Sequence, residues 1–544
     1  MRIGIRLFLA YSFLFILIFG AGCKNKEEIG EATHRPNIIW LVAEDQSPDF
    51  FPMYGDSTVS LPNLESLSLD GVIFTNAFTP VPVCAPTRSA IITGMYPTTL
   101  GTHNMRTYNA YSRENQPEIG IPSYSPVVPD GVKMFTEYLR KEGYYCTNNA
   151  KEDYNFKAPE SGWDESSSTA HWRNRPKNAP FFSVFNFNIC HESGIWNQGE
   201  EELFVSPDSV SVPPYFPDND VIRHDLAVNY SNLKRLDDQL GEIIKQLKED
   251  GLYENSIIFF YADHGGPFPR HKRALYDTGI KFPLVIKFQD NTIKGTVDDR
   301  LFSFIDFAPT LLSWVGISPP KVMQGKARFG VYKDSIESNY IFASSDRFDE
   351  MYDKLRAVRS KRYKYIRNYN TNISNALAVK YREQMPMMQN MMALKAMGKL
   401  DSIPSLWFRI PKAEEELYDI ENDPMELVNL SDKIQMQDTL IHLRKVLDNW
   451  IEETNDLGRY PEKELIEMWL SDGVQPKLKP LQLDEKGGKI NLIADKSDAT
   501  IIWKKPGDVS WKIFSEPLGR KISFVAKAVR IGYTDSDELL YSSD

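Results

Sequence analysis

The sequence predicts an α/β protein built on a large, mostly parallel sheet with helices on both faces. Two observations carry this. Three segments are continuous apolar runs ending in polar residues: PNIIWLVAED (36–45), PFFSVFNFNICH (180–191) and SIIFFYADHGG (256–266). Unbroken apolar strands are the mark of a parallel sheet buried on both sides. Between the last two lies SNLKRLDDQLGEIIKQLKEDG, with Leu233, Leu236, Leu240, Ile243, Ile244 and Leu247 at helical spacing and Gly251 as the stop. Ligands collect outside the carboxyl ends of strands in such sheets. Glu44, Asp45, His191, Asp263 and His264 are therefore expected along one edge despite their distance in sequence.

The 544 residues are too many for one ordinary core, so two to three domains are expected. A change of texture falls near Ala413. EEELYDIENDPMELVNL predicts a strand, a turn at Asn422-Asp423-Pro424, then a helix running through Leu443 to Ile451. This is read as a smaller α+β subdomain over residues 406–475, after a main domain over 36–405. A linker near 474–480 leads to alternating short strands, read as a small β-sandwich over 481–544.

The N-terminus reads as a leader. Arg2 and Arg6 precede an apolar run from Leu7 to Phe19, then Gly-Ala-Gly and Cys23. The run is shorter than the ~20 residues of a bilayer span and fits a signal peptide over 1–22. Gly-Ala-Gly before Cys23 resembles a lipoprotein cleavage box, although Gly20 stands where leucine is usual. The expectation is a lipid anchor on Cys23 and a tether over 23–35. The chain would then be exported to the bacterial periplasm or cell surface and held to the membrane, with simple secretion as the alternative.

Charge excludes some functions. Lys and Arg number 63 against 74 Asp and Glu, a formal net charge of −11, which argues against a nucleic-acid or general polyanion binder. A small basic pocket for one anionic group remains compatible. The other cysteines are Cys84, Cys146 and Cys190, an odd number, so no disulfide framework is implied. Cys84 stands in VPVCAPTRSAIITG, between prolines, with Arg88 one helical turn on.

Cys84-Ala85-Pro86-Thr87-Arg88 resembles the C-x-P-x-R signature of the type I sulfatases, in the alkaline phosphatase superfamily. PNIIWLVAEDQ upstream, ITGMYPTTLG downstream, then ADHGG and LYDTGIKFPLVI follow in the family's order, and the similarity runs from about Asn37 to Leu430. The resemblance implies an alkaline phosphatase-like fold and a cysteine oxidised to Cα-formylglycine (3-oxoalanine) by a formylglycine-generating enzyme. It implies one Ca²⁺ held by Glu44, Asp45, residue 84, Asp263 and His264, since hard oxygen ligands suit that ion. The family usually has Asp where Glu44 stands. A formylglycine hydrate is a geminal diol whose pKa a cation lowers. One oxygen attacks sulfur, and the second expels sulfate by re-forming the aldehyde, a step closed to serine.

Carried over by position, Arg88 holds residue 84. Lys151 and Lys272 stabilise the transition state, and His191, with an ordinary pKa of about 6.5, protonates the departing oxygen. Asp153 replaces the family's usual histidine, which puts the base of the elimination step in doubt. His103 and Arg106 after the signature helix, Trp172 and Arg173, and His271 beside Lys272 are candidate substrate contacts, with Asn104 and Arg270 as their neighbours. The resemblance is strongest to the heparan N-sulfatase-like and polysaccharide sulfatases. The expected substrate is a sulfated polysaccharide or its oligosaccharides, heparan-type or a marine one such as ulvan. A phosphonate or phosphodiester hydrolase of the same superfamily and a degenerate glycan-binding protein are the alternatives.

Overall fold

The structure is a computed structural model that describes residues 35–108, 120–289 and 293–543. The expected leader, Cys23 and all but the last tether residue lie outside them. No helix among the described residues is long and apolar enough to cross a membrane.

An eight-stranded sheet organises the main domain. Its order is Glu165–Ser166, Tyr145–Asn149, Phe181–Phe187, Asn37–Ala43, Ser256–Ala262, Leu284–Lys287, Val72–Phe74, Thr296–Asp298. The first five strands are parallel, and Leu284–Lys287 runs against both of its neighbours. Asn37–Ala43 lies at the middle and every one of its residues is buried. This is why the three apolar runs show no alternation: helices cover both faces. On one face Trp40 meets Phe135 and Phe307, both from helices. On the other, Phe260 meets Phe51, and the adjacent Phe50 meets Tyr230 of the long helix Asp220–Glu249.

That helix starts eleven residues earlier than its leucine spacing alone indicates. Asn219 caps it by accepting from Val221 N and Ile222 N, and Ile222 and Leu226 carry the buried face back to the start. Gly251 follows its end with φ +67°, the left-handed turn foreseen for a stop residue.

Register positions the chemistry. Ala43 pairs with both Phe187 and Ala262, so three strands end level. Glu44-Asp45, the Asn188–His191 turn and Asp263-His264 all leave the sheet at one edge.

The second sheet is antiparallel: Ile341–Phe348, Met351–Arg359, Tyr363–Asn368 and Glu415–Asp419. The helix Gln437–Glu453 follows the turn, as expected. The boundary expected at 406 falls between the third and fourth strands, because Glu415–Asp419 pairs back onto residues 363–367. At the C-terminus two small sheets share a core of Ile490, Leu492, Leu518, Phe524 and Ala526, a sandwich. Leu478, in the expected linker, is buried in that core. Arg530 joins the sandwich to the main domain through Asp130 and the carbonyl of Val128.

Gly265 is a close-approach position: a Cβ there would lie 2.0 Å from the carbonyl oxygen of Thr278. Gly265→Ala therefore displaces the Asp263-His264 turn. Thermal unfolding should show a loss on the order of 1–3 kcal/mol, and an unchanged melting temperature would contradict the fit.

Candidate active site

Cys84 opens the helix Cys84–Thr93, all ten residues of which are buried. Its Sγ lies 3.4 Å from His264 Nε2 and 3.9 Å from Asp45 Oδ1. Asp45 is the hub. Its backbone N–H donates to Asp263 Oδ1 at 3.2 Å, and its Oδ2 accepts from Lys272 Nζ and from Glu192 N, both at 2.7 Å. His264 Nε2 stands 3.0 Å from its Oδ1. Burial alone would raise the Asp45 pKa, but Lys272, His191 and His264 hold it well below the usual carboxylate range. Burial likewise opposes Asp263, and His264 and Arg88 bring it to about 2. The backbone at Asp45 has φ +51°, a left-handed conformation that aspartate adopts more readily than most residues.

One ligand atom each from Asp45, Cys84, Asp263 and His264 lies within 4.8 Å of the others. Asp263 Oδ2 is buried and has no hydrogen-bond partner among the described residues; Arg88 Nε at 3.4 Å is not aligned to donate. An orphaned carboxylate oxygen beside a second buried carboxylate fits a divalent cation. Glu44 is at the same edge but outside this group. Its Oε1 takes Lys151 Nζ at 2.5 Å and Arg88 Nη2 at 3.3 Å.

Lys272 is buried at 1% exposure, with Glu192 Oε1 at 3.1 Å and His191 Nε2 at 3.3 Å. Glu192 is fixed in turn by two bonds from Arg273, both 2.8 Å, and Arg273 also donates to Asp349 at 2.7 Å. Burial and then Lys272 lower the pKa of His191, which is neutral at neutral pH in this arrangement. An anion bound beside it acts in the opposite sense. Burial opposes the charge on Lys151, but its neighbours Cys84 and Glu44 raise its pKa. Asp153 lies 3.8 Å from Arg106 and 3.9 Å from Lys151. Against burial, these two cations keep it ionised below the ordinary range.

The structure thus gathers Glu44, Asp45, Cys84, Arg88, Arg106, Lys151, Asp153, His191, Asp263, His264 and Lys272. Arg88 differs from expectation in its partners: it donates to Asn186 Oδ1 at 2.7 Å and to Glu44, not to residue 84. Glu192, Arg273, Asp349 and Asn186 were not foreseen. Glu192 directly follows His191, but nothing local in NICHES separates a ligand-positioning glutamate from a surface one.

Four candidate substrate contacts are placed elsewhere. Trp172 is fully buried, stacks on Phe181 at the start of its strand and donates to Asp250, so it belongs to the opposite end of the sheet. Arg173 pairs with the same Asp250 at 2.8 Å. His103 is buried, in the field of Asp346 and Asp456 under the second sheet. His271 sits among Phe50, Phe216 and Phe268 and meets the Tyr215 hydroxyl at 3.1 Å. Cys84, Cys146 and Cys190 are all free thiols.

A covered α/β sheet with buried carboxylates, a nucleophile position and converging cations at one edge defines the alkaline phosphatase-like class of ester hydrolases. Residues 36–186 and 166–317 match the family described as Sulfatase, and 266–403 match "N-sulphoglucosamine sulphohydrolase, C-terminal". The chain is 42% identical to an ulvan-active sulfatase of Formosa agariphila, across 94% of this chain and 91% of that protein. It is 23% identical to the N-sulphoglucosamine sulphohydrolase of Homo sapiens, across 82% and 96%. A solved structure described as a complex with its substrate D-glucosamine-2-N,6-O-disulfate superposes with a TM-score of 0.54 at 17% identity, covering 78% of this chain and 98% of that one. That likeness bears on the fold. The chain belongs to the sulfatase family, as a type I sulfatase of the alkaline phosphatase superfamily and a sulfuric ester hydrolase.

Two predictions follow from the reassigned residues. Arg173→Ala should change kcat/KM for any sulfate ester by less than about twofold, since surface pairs are worth about 0–1 kcal/mol and this one is remote. The burial of His271 lowers its pKa from 6.5 to about 3. Below pH 6.5 the unfolded chain takes up a proton that the folded chain refuses until about pH 3. Stability therefore falls as pH drops through that window and is level above it. In denaturant titrations between pH 4 and 7, His271→Phe should flatten this slope, by an amount on the order of a few kcal/mol.

Proposed function

We propose that this enzyme removes sulfate from a sulfated polysaccharide or its oligosaccharides, with residue 84 as formylglycine and one Ca²⁺ at the Asp45–Asp263 pair. The observation that carries this is the convergence of Cys84, Asp45, Asp263 and His264 within 4.8 Å, facing Lys151 and Lys272. Asp45 and Asp263 would hold the cation, with His264 and Glu44 beside them. Converted residue 84 supplies a geminal diol nucleophile whose acidity the cation raises.

The chain's own residues do the rest. Lys272, Lys151 and Arg106 place positive charge where a sulfate group meets residue 84, which offsets repulsion between an anionic ester and an anionic nucleophile. Lys272 keeps its position because Asp45 and Glu192 hold it from two sides. His191 Nε2 lies 3.3 Å from Lys272 Nζ, within the same pocket, and gives its proton to the departing oxygen once bound sulfate has raised its pKa. Ser193 Oγ, 2.8 Å from Nδ1, orients the ring. Asp153, kept ionised by Arg106 and Lys151, serves as the base that the usual histidine supplies in other members.

The substrate class is supported by the ulvan-active relative and by the N-sulphoglucosamine sulphohydrolase C-terminal match. Export with a lipid anchor on Cys23, after maturation by a formylglycine-generating enzyme, completes the proposal.

Defined ulvan, heparan and carrageenan oligosaccharides, assayed beside aryl phosphate esters, test it. Among the saccharides, sulfate release should be confined to one class; it should exceed phosphate release and fall to background in Cys84→Ser. Faster phosphate ester cleavage would contradict it. Chelation of divalent metal should abolish activity and lower the melting temperature by a few degrees, both restored by Ca²⁺. An unchanged melting temperature would contradict the cation.

A further inference from the structure

A cleft of about 400 Å³ opens between the segment around Trp407 and the edge of the second sheet at Glu416 and Tyr418. It shares no lining residue with the cluster around Cys84. Two buried donors without partners line it. Arg270 is 6% exposed; its Nη2 donates to the carbonyls of Met425 and Glu426, both at 2.8 Å, while its Nη1 has no hydrogen-bond partner among the described residues. Trp407 is 4% exposed and its Nε1 is likewise without a partner.

Among the described residues Arg270 makes no close ion pair, although the buried Glu426 carboxylate in the same wall lies within its field. Its guanidinium lies 4.0 Å from the Tyr276 ring centre and 4.6 Å from that of Tyr215, which fixes its plane but does not neutralise it. Of the three carboxylates in the wall, Asp432 is exposed and the two buried ones are already engaged. Glu416 accepts from Tyr418 and Asn368, and Glu426 is held by Lys364 at 2.7 Å. A buried cation with an idle N–H calls for an anionic oxygen, and an idle indole N–H in the wall of the same cleft calls for a second acceptor. Exposed Arg409 in the same wall adds positive charge at the mouth.

From this we propose that the cleft is a second saccharide subsite. It takes the carboxylate or sulfate of a sugar residue other than the one being desulfated, with Arg270 Nη1 on the anion and Trp407 Nε1 on a neighbouring oxygen. The inference rests on the sulfated-saccharide reading above. It would make the enzyme prefer chains to single sugars.

Full-length protein carrying Cys84→Ala, which prevents turnover, is titrated with an unsulfated glucuronate-containing disaccharide and separately with inorganic sulfate. The first arm reports a carboxylate site and the second a sulfate site; binding that Trp407→Phe weakens supports the subsite, whereas binding in neither arm, or binding that this variant leaves unchanged, overturns it. Trp407→Phe, which keeps the ring and loses the donor, and Arg270→Gln should each weaken that binding about tenfold. In the active enzyme Trp407→Phe should raise KM for an oligosaccharide about tenfold while nitrophenyl sulfate turnover stays within about twofold. Unchanged binding and KM in Trp407→Phe overturn the subsite even if Arg270→Gln fails to fold. Absence of nitrophenyl sulfate cleavage by the wild type would instead count against the sulfatase site, and the disaccharide titration still decides the cleft.

Discussion

The Asp45 carboxylate, buried where the central strand ends, is the point on which the site depends. It receives Lys272 Nζ and the Glu192 N–H on one oxygen and faces His264 and Cys84 with the other. The four partners come from three parts of the chain: Glu192 just after the Asn188–His191 turn, His264 and Lys272 from the loop after Ser256–Ala262, and Cys84 at the start of its helix. The level ends of three parallel strands make this meeting possible. A one-residue slip of either neighbour would carry its acid or base away from the others.

Concentrated buried charge is costly unless paired. Here the pairs form a connected series. Asp45 holds Lys272, Lys272 meets Glu192, Glu192 is gripped by Arg273, and Arg273 reaches Asp349 beside the second sheet. Arg88 performs the matching task on the other side, tying Glu44 and Asp263 to Asn186. What remains unmatched is informative. Among the described residues Asp263 Oδ2, which meets Arg88 Nε only at 3.4 Å and out of line, and Arg270 Nη1 in the separate cleft make no hydrogen bond.

Much of this was legible because burial on both faces removes alternation from a strand. PNIIWLVAED, PFFSVFNFNICH and SIIFFYADHGG declare both the sheet and its functional edge, and the metal-type cluster draws three of its four members from those ends or the residues just after them. The C-x-P-x-R order identified Cys84. What escaped were contacts set by tertiary packing. TAHWRN has the composition of a sugar-binding patch, yet Asp250 at the end of the long helix claims both Trp172 and Arg173. His271 stands beside Lys272 in sequence, but its side chain enters an aromatic cluster. Arg88 follows residue 84 by one turn, and longer reach delivers it to carboxylates instead. The second sheet was divided at 406 because its fourth strand lies nearly fifty residues after the third, a distance that local pattern cannot bridge.

The central claim is most directly tested by anomalous diffraction from crystals of the full-length protein grown with Ca²⁺. The account predicts one strong cation peak in contact with Asp45, Asp263 and the side chain at position 84, with Lys272 outside its coordination shell. Density showing Asp263 Oδ2 turned to another protein group, with no cation between the two aspartates, would contradict it.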